Sequence, residues 1–367
     1  MNAKMISDNI ARMSSKTKTR DCILIESGPN GWGLIEYEEL LQSALEISDN
    51  TKVKKITFKS TWARLINILK TNTHHRNVYF LYSPRSQGDY KTLNAQISLW
   101  LLLLLASLKS IRVVFMMCGA NDVAFRKLAR MTSKFNHTVI SVLPPSIINK
   151  YDHKIRAKGP YLLPISKKTR SYLDNMNKSQ FFSNALTPKV LLSGNSYGKR
   201  KQFFDSIIPF LDNAGLHYQL SHRSETRLRN SSLEYWNEFL NSKYVVSTSF
   251  MDGSDVDMIS QHIANYKHLV YRFSEVFCCR RLLLIQEPEE CESIFMPNVH
   301  YIAVNDPREL VDRILFFEAN PNEYDRIINQ AYMNYHEKLK TNSPFTLMEE
   351  QANDRFSSLY SNESEEA

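Results

Sequence analysis

The sequence predicts an α/β protein of two domains, each a parallel sheet covered by helices on both faces. Three observations lead there. The chain has 367 residues, too many for one ordinary core and suited to two domains of about 150 residues each. From Asp21 onward, short apolar runs alternate with segments of helical spacing, which is the pattern of parallel strands joined by crossover helices. The same alternation restarts at Lys189, after a basic stretch broken by Pro160, Pro164 and Pro188. A composition of 43% hydrophobic and 23% charged residues is that of a globular chain and excludes a largely disordered one.

The first half opens with a strand at Asp21 to Ile25, followed by the loop Gly28-Pro-Asn-Gly-Trp-Gly33. Leu40, Leu41, Ala44 and Leu45 then repeat at helical spacing between Tyr37 and Ile47. Val53 to Phe58, Val78 to Tyr82, Ile111 to Met117 and His137 to Leu143 are further strands, with a helix at Val123 to Phe135. The apolar run Ile97 to Leu108 ends at Lys109 and Arg112 after about a dozen residues. Spanning a bilayer takes about 20, so this run reads as a buried helix leading into a core strand, with a helix resting on a membrane surface as the alternative. Pro144-Pro145 closes this half, and residues 146 to 187 form the connection.

The second half begins with a strand at Lys189 to Ser193 running into Gly194-Asn-Ser-Tyr-Gly198. Lys199 to Ala214 is a helix with Phe203, Ile207 and Leu211 on one face, and Pro209 is expected to kink it. Leu216 to Leu220 and Tyr244 to Thr248 supply strands. Ser254 and Asp257 form a capping box, and Asp306 caps a helix with Pro307 in its first turn.

The segment Tyr271 to Ile285 carries the most information. Arg272 and Glu275, three residues apart, share one face near the start of a short helix, and Leu282 to Ile285 is an apolar strand suited to burial on both faces. A charged pair leading into a buried strand is how open α/β sheets build a ligand-facing edge. This run resembles the C-terminal half of nucleotide-sugar glycosyltransferases of the GT-B architecture, two Rossmann-like domains facing each other across a cleft, especially the spore-maturation and exostosin-like branches. The resemblance covers residues 186 to 356. Those families end the short helix with Gly, where this chain has Arg280, and the retaining branch carries a Glu eight residues before Glu275, where this chain has Lys267.

The resemblance implies an acceptor domain at 20–165, a donor domain at 186–343, and a C-terminal helix at 344–360 crossing back to the first domain. It implies a donor site of Gly194, Asn195, Arg200, Arg272 and Glu275, with Arg200 on the diphosphate and Glu275 accepting from ribose hydroxyls. Glycines after a strand let backbone N–H groups approach a phosphate, and the following helix offers its positive end. On the acceptor side stands the loop holding Gly28, Asn30, Gly31 and Trp32, with Trp32 placed to stack on a sugar. Asp122 is the candidate general base. The expected activity is transfer of a sugar from a nucleotide-sugar co-substrate to a glycan or lipid-linked acceptor, with no metal and no other cofactor. A non-catalytic nucleotide-sugar binder and a sugar epimerase of the same architecture are the alternatives, and Arg280 and Lys267 favour the binder.

Charge and cysteines bound the partners. The net charge is +8, and residues 51–91 hold nine Lys or Arg against the single acid Asp89. Residues 286–325 reverse this, with ten acids against Arg308 and Arg313. The basic run is either a solvated face or one turned to an anionic surface such as a membrane. Nucleic acid is excluded as a partner, because no recognition motif accompanies the charge. Five scattered cysteines without CxxC spacing read as reduced thiols. Met1 to Arg20 lacks the apolar core of a secretory signal, so a cytoplasmic location is expected, with peripheral association at the inner membrane as its extension.

Overall fold

The computed structural model describes residues 21–27, 53–58, 75–82, 93–108, 112–117, 138–146, 157–180, 189–194, 198–221, 232–249, 269–286 and 291–347, with single residues between them. Two parallel sheets organise the chain. The first contains β1 (Asp21–Ser27), β2 (Val53–Phe58), β3 (His75–Tyr82), β4 (Arg112–Met117), β5 (Thr138–Ser141) and β6 (Ala157–Lys158), in the order β2-β1-β3-β4-β5-β6. The second contains β7 (Lys189–Leu192), β8 (His217–Leu220), β9 (Tyr244–Ser247), β10 (Leu282–Ile285) and β11 (Ile302–Ala303), in the order β11-β10-β9-β7-β8. Every pairing among these strands is parallel. In both sheets the chain goes first to one side of the opening strand and then to the other. That reversal creates a crevice at the carboxyl ends of β1 and β3, and of β7 and β9.

Alternation along the second sheet builds its two cores. Leu191, Val245, Leu283 and Ile285 face one side, where α4 (Ser232–Leu240) and α5 (Arg272–Cys278) bring Trp236, Phe239, Phe273 and Phe277. Val190, Leu192, Val246, Leu282 and Leu284 face the other, against α3 (Gly198–Asn213) and α6 (Pro307–Ala319), which bring Phe204, Ile207, Leu310 and Ile314. The period of two places successive residues of each strand on opposite faces, so uncharged strands of four residues fill both layers. Asp306 caps α6 as expected, accepting from the backbone of Arg308 at 2.7 Å and of Glu309 at 3.3 Å.

The connection between the sheets is more structured than its prolines suggest. It holds β6 and the helix α2 (Lys167–Gln180). Glu39 of the first half accepts from Ser166 N and Thr169 Oγ1, both at 2.6 Å, and Glu46 accepts from Lys167 N at 2.5 Å and Lys168 N at 3.2 Å. These two carboxylates therefore satisfy the orphan donors at the start of α2. At Gly159 an added Cβ would lie 2.3 Å from Ser141 O and 2.7 Å from Leu143 O, so only glycine lets β6 approach β5.

Return contacts onto the connection come from α7 (Pro321–Asn342). Tyr335 Oη donates to Leu163 O at 2.8 Å and accepts from Ile165 N at 3.0 Å, while Leu162 N donates to Asn342 O at 2.9 Å. The helix expected at 344–360 falls mostly outside the described residues, and so does the one expected at Val123 to Phe135. One expectation is corrected. Helix α1 (Leu93–Leu108) is not wholly buried: Leu103 and Ala106 are, but Ile97, Leu101, Leu104 and Leu108 face outward. A helix apolar on all sides carries no pattern to say which side meets the core.

The turn from α5 into β10 resolves the substitution of Arg280 for Gly. Arg280 N donates to Phe277 O at 3.0 Å and Arg281 N to Val276 O at 3.2 Å, the two bonds of a Schellman motif. That motif needs positive φ at its first residue beyond the cap, and Arg280 supplies it at φ 51°. Its guanidinium lies 3.9 Å from the centroid of the Tyr332 ring and donates to Asn329 Oδ1 at 3.2 Å. The strain of a left-handed non-glycine residue is on the order of 1 kcal/mol, and the stacked cation offsets a similar amount. Arg280→Ala keeps the strain and loses the contact, whereas Arg280→Gly loses both. The glycine variant is therefore expected to be more stable than the alanine variant by about 1 kcal/mol, read from urea midpoints.

Candidate functional site

The switch point of the second sheet gathers small and hydroxylated residues at its carboxyl edge. Ser193, Ser247, Thr248 and Ser249 are all buried there. Ser193 N donates to Val246 O at 2.8 Å, Ser247 Oγ to Ser193 O at 3.4 Å, and Ser249 Oγ to Gln286 O, which ties the ends of β7, β9 and β10 together. Arg200, in the first turn of α3, bends back over this edge. Its Nε donates to Thr248 Oγ1 at 3.2 Å. A Cβ at Gly194 would sit 2.8 Å from Arg200 Nη1 and 3.0 Å from its Cζ, and Gly194 has φ +121°. Gly194 is thus required for its backbone angle, and a side chain there would also displace the end of the Arg200 side chain. Gly194 and Arg200, paired in the sequence reading, touch in the structure.

Arg272 and Glu275 also meet, at 2.8 Å between Arg272 Nη1 and Glu275 Oε2. Their setting differs from the expected cleft pair. Glu275 is 2% exposed, and α5, which carries both residues, runs into β10. Sequence spacing alone did not indicate Tyr235, on α4, which bridges the pair. Its hydroxyl donates to Glu275 Oε1 and accepts from Arg272 Nη1 at 3.0 Å. Arg272 also lies over the Phe239 ring, 5.2 Å from its centroid. The Glu275 carboxylate is thus engaged by Arg272 and Tyr235 and presents almost no surface of its own. The amphipathic spacing of Tyr235, Trp236 and Phe239 was the available signal for α4, but nothing in it singled out the hydroxyl.

Glu275→Ala leaves the nearly buried Arg272 without its carboxylate, and such a change costs about 3 kcal/mol. Folding therefore weakens, contrary to the little loss expected of a cleft side chain. Glu275→Gln, which keeps the bond to Tyr235, should cost less than half as much, with chemical denaturation as the measurement.

Asn195, Asp122 and the loop residues Gly28, Asn30, Gly31 and Trp32 lie outside the described residues, as do Ser254 and Asp257. A further cavity of about 340 Å³ opens between α2 and α7, lined by Lys167, Arg170, Ser171, Asp174, Tyr332 and His336. Burial, reinforced by the Arg170 guanidinium 3.2 Å from its Nδ1, lowers the His336 pKa to about 4.

Residues 184–343 match the family described as glycosyl transferase-like. That match takes in the second sheet and covers under half of the chain. HepE from Anabaena, solved with UDP, is similar in structure at a TM-score of 0.52 and 9% identity, over 92% of this chain and 100% of that one. Sucrose-phosphate synthase from Thermosynechococcus elongatus matches at a TM-score of 0.52 and 11% identity, over 94% and 100% of the two chains. A glycosyltransferase from Rickettsia africae matches at 0.52 and 10%, over 91% and 97%. No curated protein matches by sequence. Both chain halves are spanned in each of these alignments, so the two parallel sheets form a GT-B fold, two Rossmann-like domains across a cleft. Gly194 and Arg200 stand at the switch point of the second sheet, where open α/β folds bind ligands.

Proposed function

We propose that the protein transfers a sugar from a nucleotide-sugar donor to a glycan or lipid-linked acceptor, without a metal ion. One observation carries this reading: Arg200 laid across Gly194 and anchored to Thr248 at the β7/β9 switch point. Glycosyl transfer develops negative charge on the departing diphosphate. A fixed guanidinium at the start of the 16-residue helix α3 meets that charge with a cation and with the positive end of the helix. Gly194 and Asn195 supply the backbone approach to the phosphates. Arg272, held by Glu275 and Tyr235, contributes the second cation at the same edge.

On the acceptor side, the reading assigns deprotonation of the attacking hydroxyl to Asp122, and contact with the acceptor to Gly28, Asn30, Gly31 and Trp32. The retained Schellman turn at Arg280 supports an enzyme over a degenerate binder, because the one departure from the family pattern at that turn leaves its geometry intact. HepE has been solved with UDP-glucose, which makes uridine donors the first to try. The setting we infer is cytoplasmic and peripheral at the inner membrane, in polysaccharide biosynthesis.

The test is a thermal-shift screen of the purified chain against uridine, guanosine and adenosine diphosphate sugars. At 100 times the dissociation constant the true donor adds about 2.7 kcal/mol of stability. Incubation with that donor should then release nucleoside diphosphate as a sugar is transferred or hydrolysed. A chain that no nucleotide sugar stabilises is not a donor-dependent transferase, and one that is stabilised but releases no diphosphate is a binder.

A further inference from the structure

Helix α1 exposes Ile97, Leu101, Leu104 and Leu108 at 49%, 38%, 42% and 73% of their full surface. Steps of four, three and four residues keep these side chains in one narrow stripe along the helix. Behind them Leu103 and Ala106 are fully buried. None of the 16 residues of α1 is charged, so nothing interrupts the stripe. In the sequence it is flanked by Lys91 on one side and by Lys109 and Arg112 on the other. A solvated helix presents polar groups on its outer face, and a continuous apolar strip marks a surface that meets a partner.

We propose that α1 docks the protein on an anionic lipid bilayer. The four side chains enter the boundary between headgroups and acyl chains, and the net charge of +8 draws the chain to the lipid phosphates. Length decides the mode of contact. Sixteen residues of helix reach about 24 Å, short of the ~30 Å hydrocarbon core, and no helix among the described residues is long and apolar enough to cross a membrane. The helix therefore lies in the interfacial plane.

Charge and area select lipid over a second copy of the chain. Four partly exposed side chains offer roughly a few hundred Å², whereas a stable protein interface takes about 800 Å² from each partner. Two copies each carrying +8 also repel, while an anionic surface attracts the nine Lys and Arg of residues 51–91. This inference extends the membrane setting proposed above, but it stands on α1 and not on the donor site. In the chain α1 lies between β3 and β4 and packs against β4, so a bilayer along it is held against the first sheet.

Co-sedimentation with vesicles tests it, using phosphatidylglycerol mixed into phosphatidylcholine against phosphatidylcholine alone. The full chain should bind the anionic vesicles at low salt and release as salt rises, because surface charges are screened within about 10 Å at 0.1 M. Leu104→Glu combined with Leu108→Glu should lower binding at least about tenfold, with an unchanged circular dichroism spectrum and unchanged nucleotide-sugar affinity. Failure to bind anionic vesicles, equal binding to neutral ones, or full binding by the double variant overturns the proposal. So does a dimer in sedimentation velocity that the double variant dissolves, which would assign the stripe to self-association. Loss of donor binding in the unaltered protein bears on the transferase reading alone.

Discussion

Replacing Arg200 by alanine is expected to cut turnover by about 10²- to 10³-fold, the usual loss when one preorganised contact to a developing anion is removed. The effect belongs mainly to the transition state, since the diphosphate gains charge only as the glycosidic bond breaks, so donor affinity should fall far less than kcat. Arg200→Lys should restore only part of the rate. The ammonium brings charge but cannot both bond Thr248 and present a planar fork to phosphate. A companion change at Gly194 separates position from charge. Gly194→Ala shifts the end of the Arg200 side chain and strains a backbone at φ +121°, and should reproduce part of the kinetic defect while every charge remains. Steady-state kinetics beside calorimetric donor binding make the measurement. Turnover within a few fold of the unaltered enzyme in Arg200→Ala would place the diphosphate elsewhere.

The largest loss of stability is expected at Arg281, a residue with no part in the chemistry. It is 6% exposed. Its Nη1 donates to Cys279 O at 2.9 Å, Arg280 O at 3.0 Å and Asn177 Oδ1 at 2.9 Å, and its Nη2 donates to Leu240 O at 2.8 Å. One guanidinium therefore closes the carbonyl ends of α4 and α5 and ties both to α2. Arg281→Met fills similar volume but leaves those carbonyls and the Asn177 amide without a donor. Hydrogen bonds to a charged group contribute about 1.5–3 kcal/mol each, and their joint loss is not additive. We expect about 4 kcal/mol, of the size seen when a buried charge network loses a member, in denaturant titration. Because α5 carries Arg272, donor affinity should also fall. A loss under 1 kcal/mol would mean that water replaces the guanidinium.

Strands and the glycine that follows β7 were legible in the sequence because their signals are local. Leu282 to Ile285 is apolar in four successive positions, and Gly194 follows a strand and precedes a helix; both facts sit in a short window. The depth of Glu275 was not legible. Its i, i+3 spacing to Arg272 is the same for a surface pair and a buried one, and what buries it is Tyr235, forty residues earlier on another helix. The outer face of α1 escaped for a related reason. Leu103 and Leu104 are the same residue type, and only the fold decides that one packs and the other faces outward. Arg280 is a third case. Its position beyond a short helix called for positive φ, but the Tyr332 ring that accompanies the strained arginine comes from α7 and is fixed only by tertiary packing.

The path of α7 has a consequence for biosynthesis. Tyr324, Ile327 and Ile328 in its first turns fill the core layer of α3 and α6, and Ala331 and Tyr335 further along fill the opposite layer and hold the connection to the first sheet. Both layers of the second sheet therefore wait for the same late segment. While the ribosome moves from β7 toward residue 342, about 8 to 30 s at ordinary elongation rates, the emerging strands have their partners but neither apolar layer is closed. The nascent second domain spends that interval with aromatic surface open to solvent, and demand for a chaperone should be set by the distance between β7 and α7.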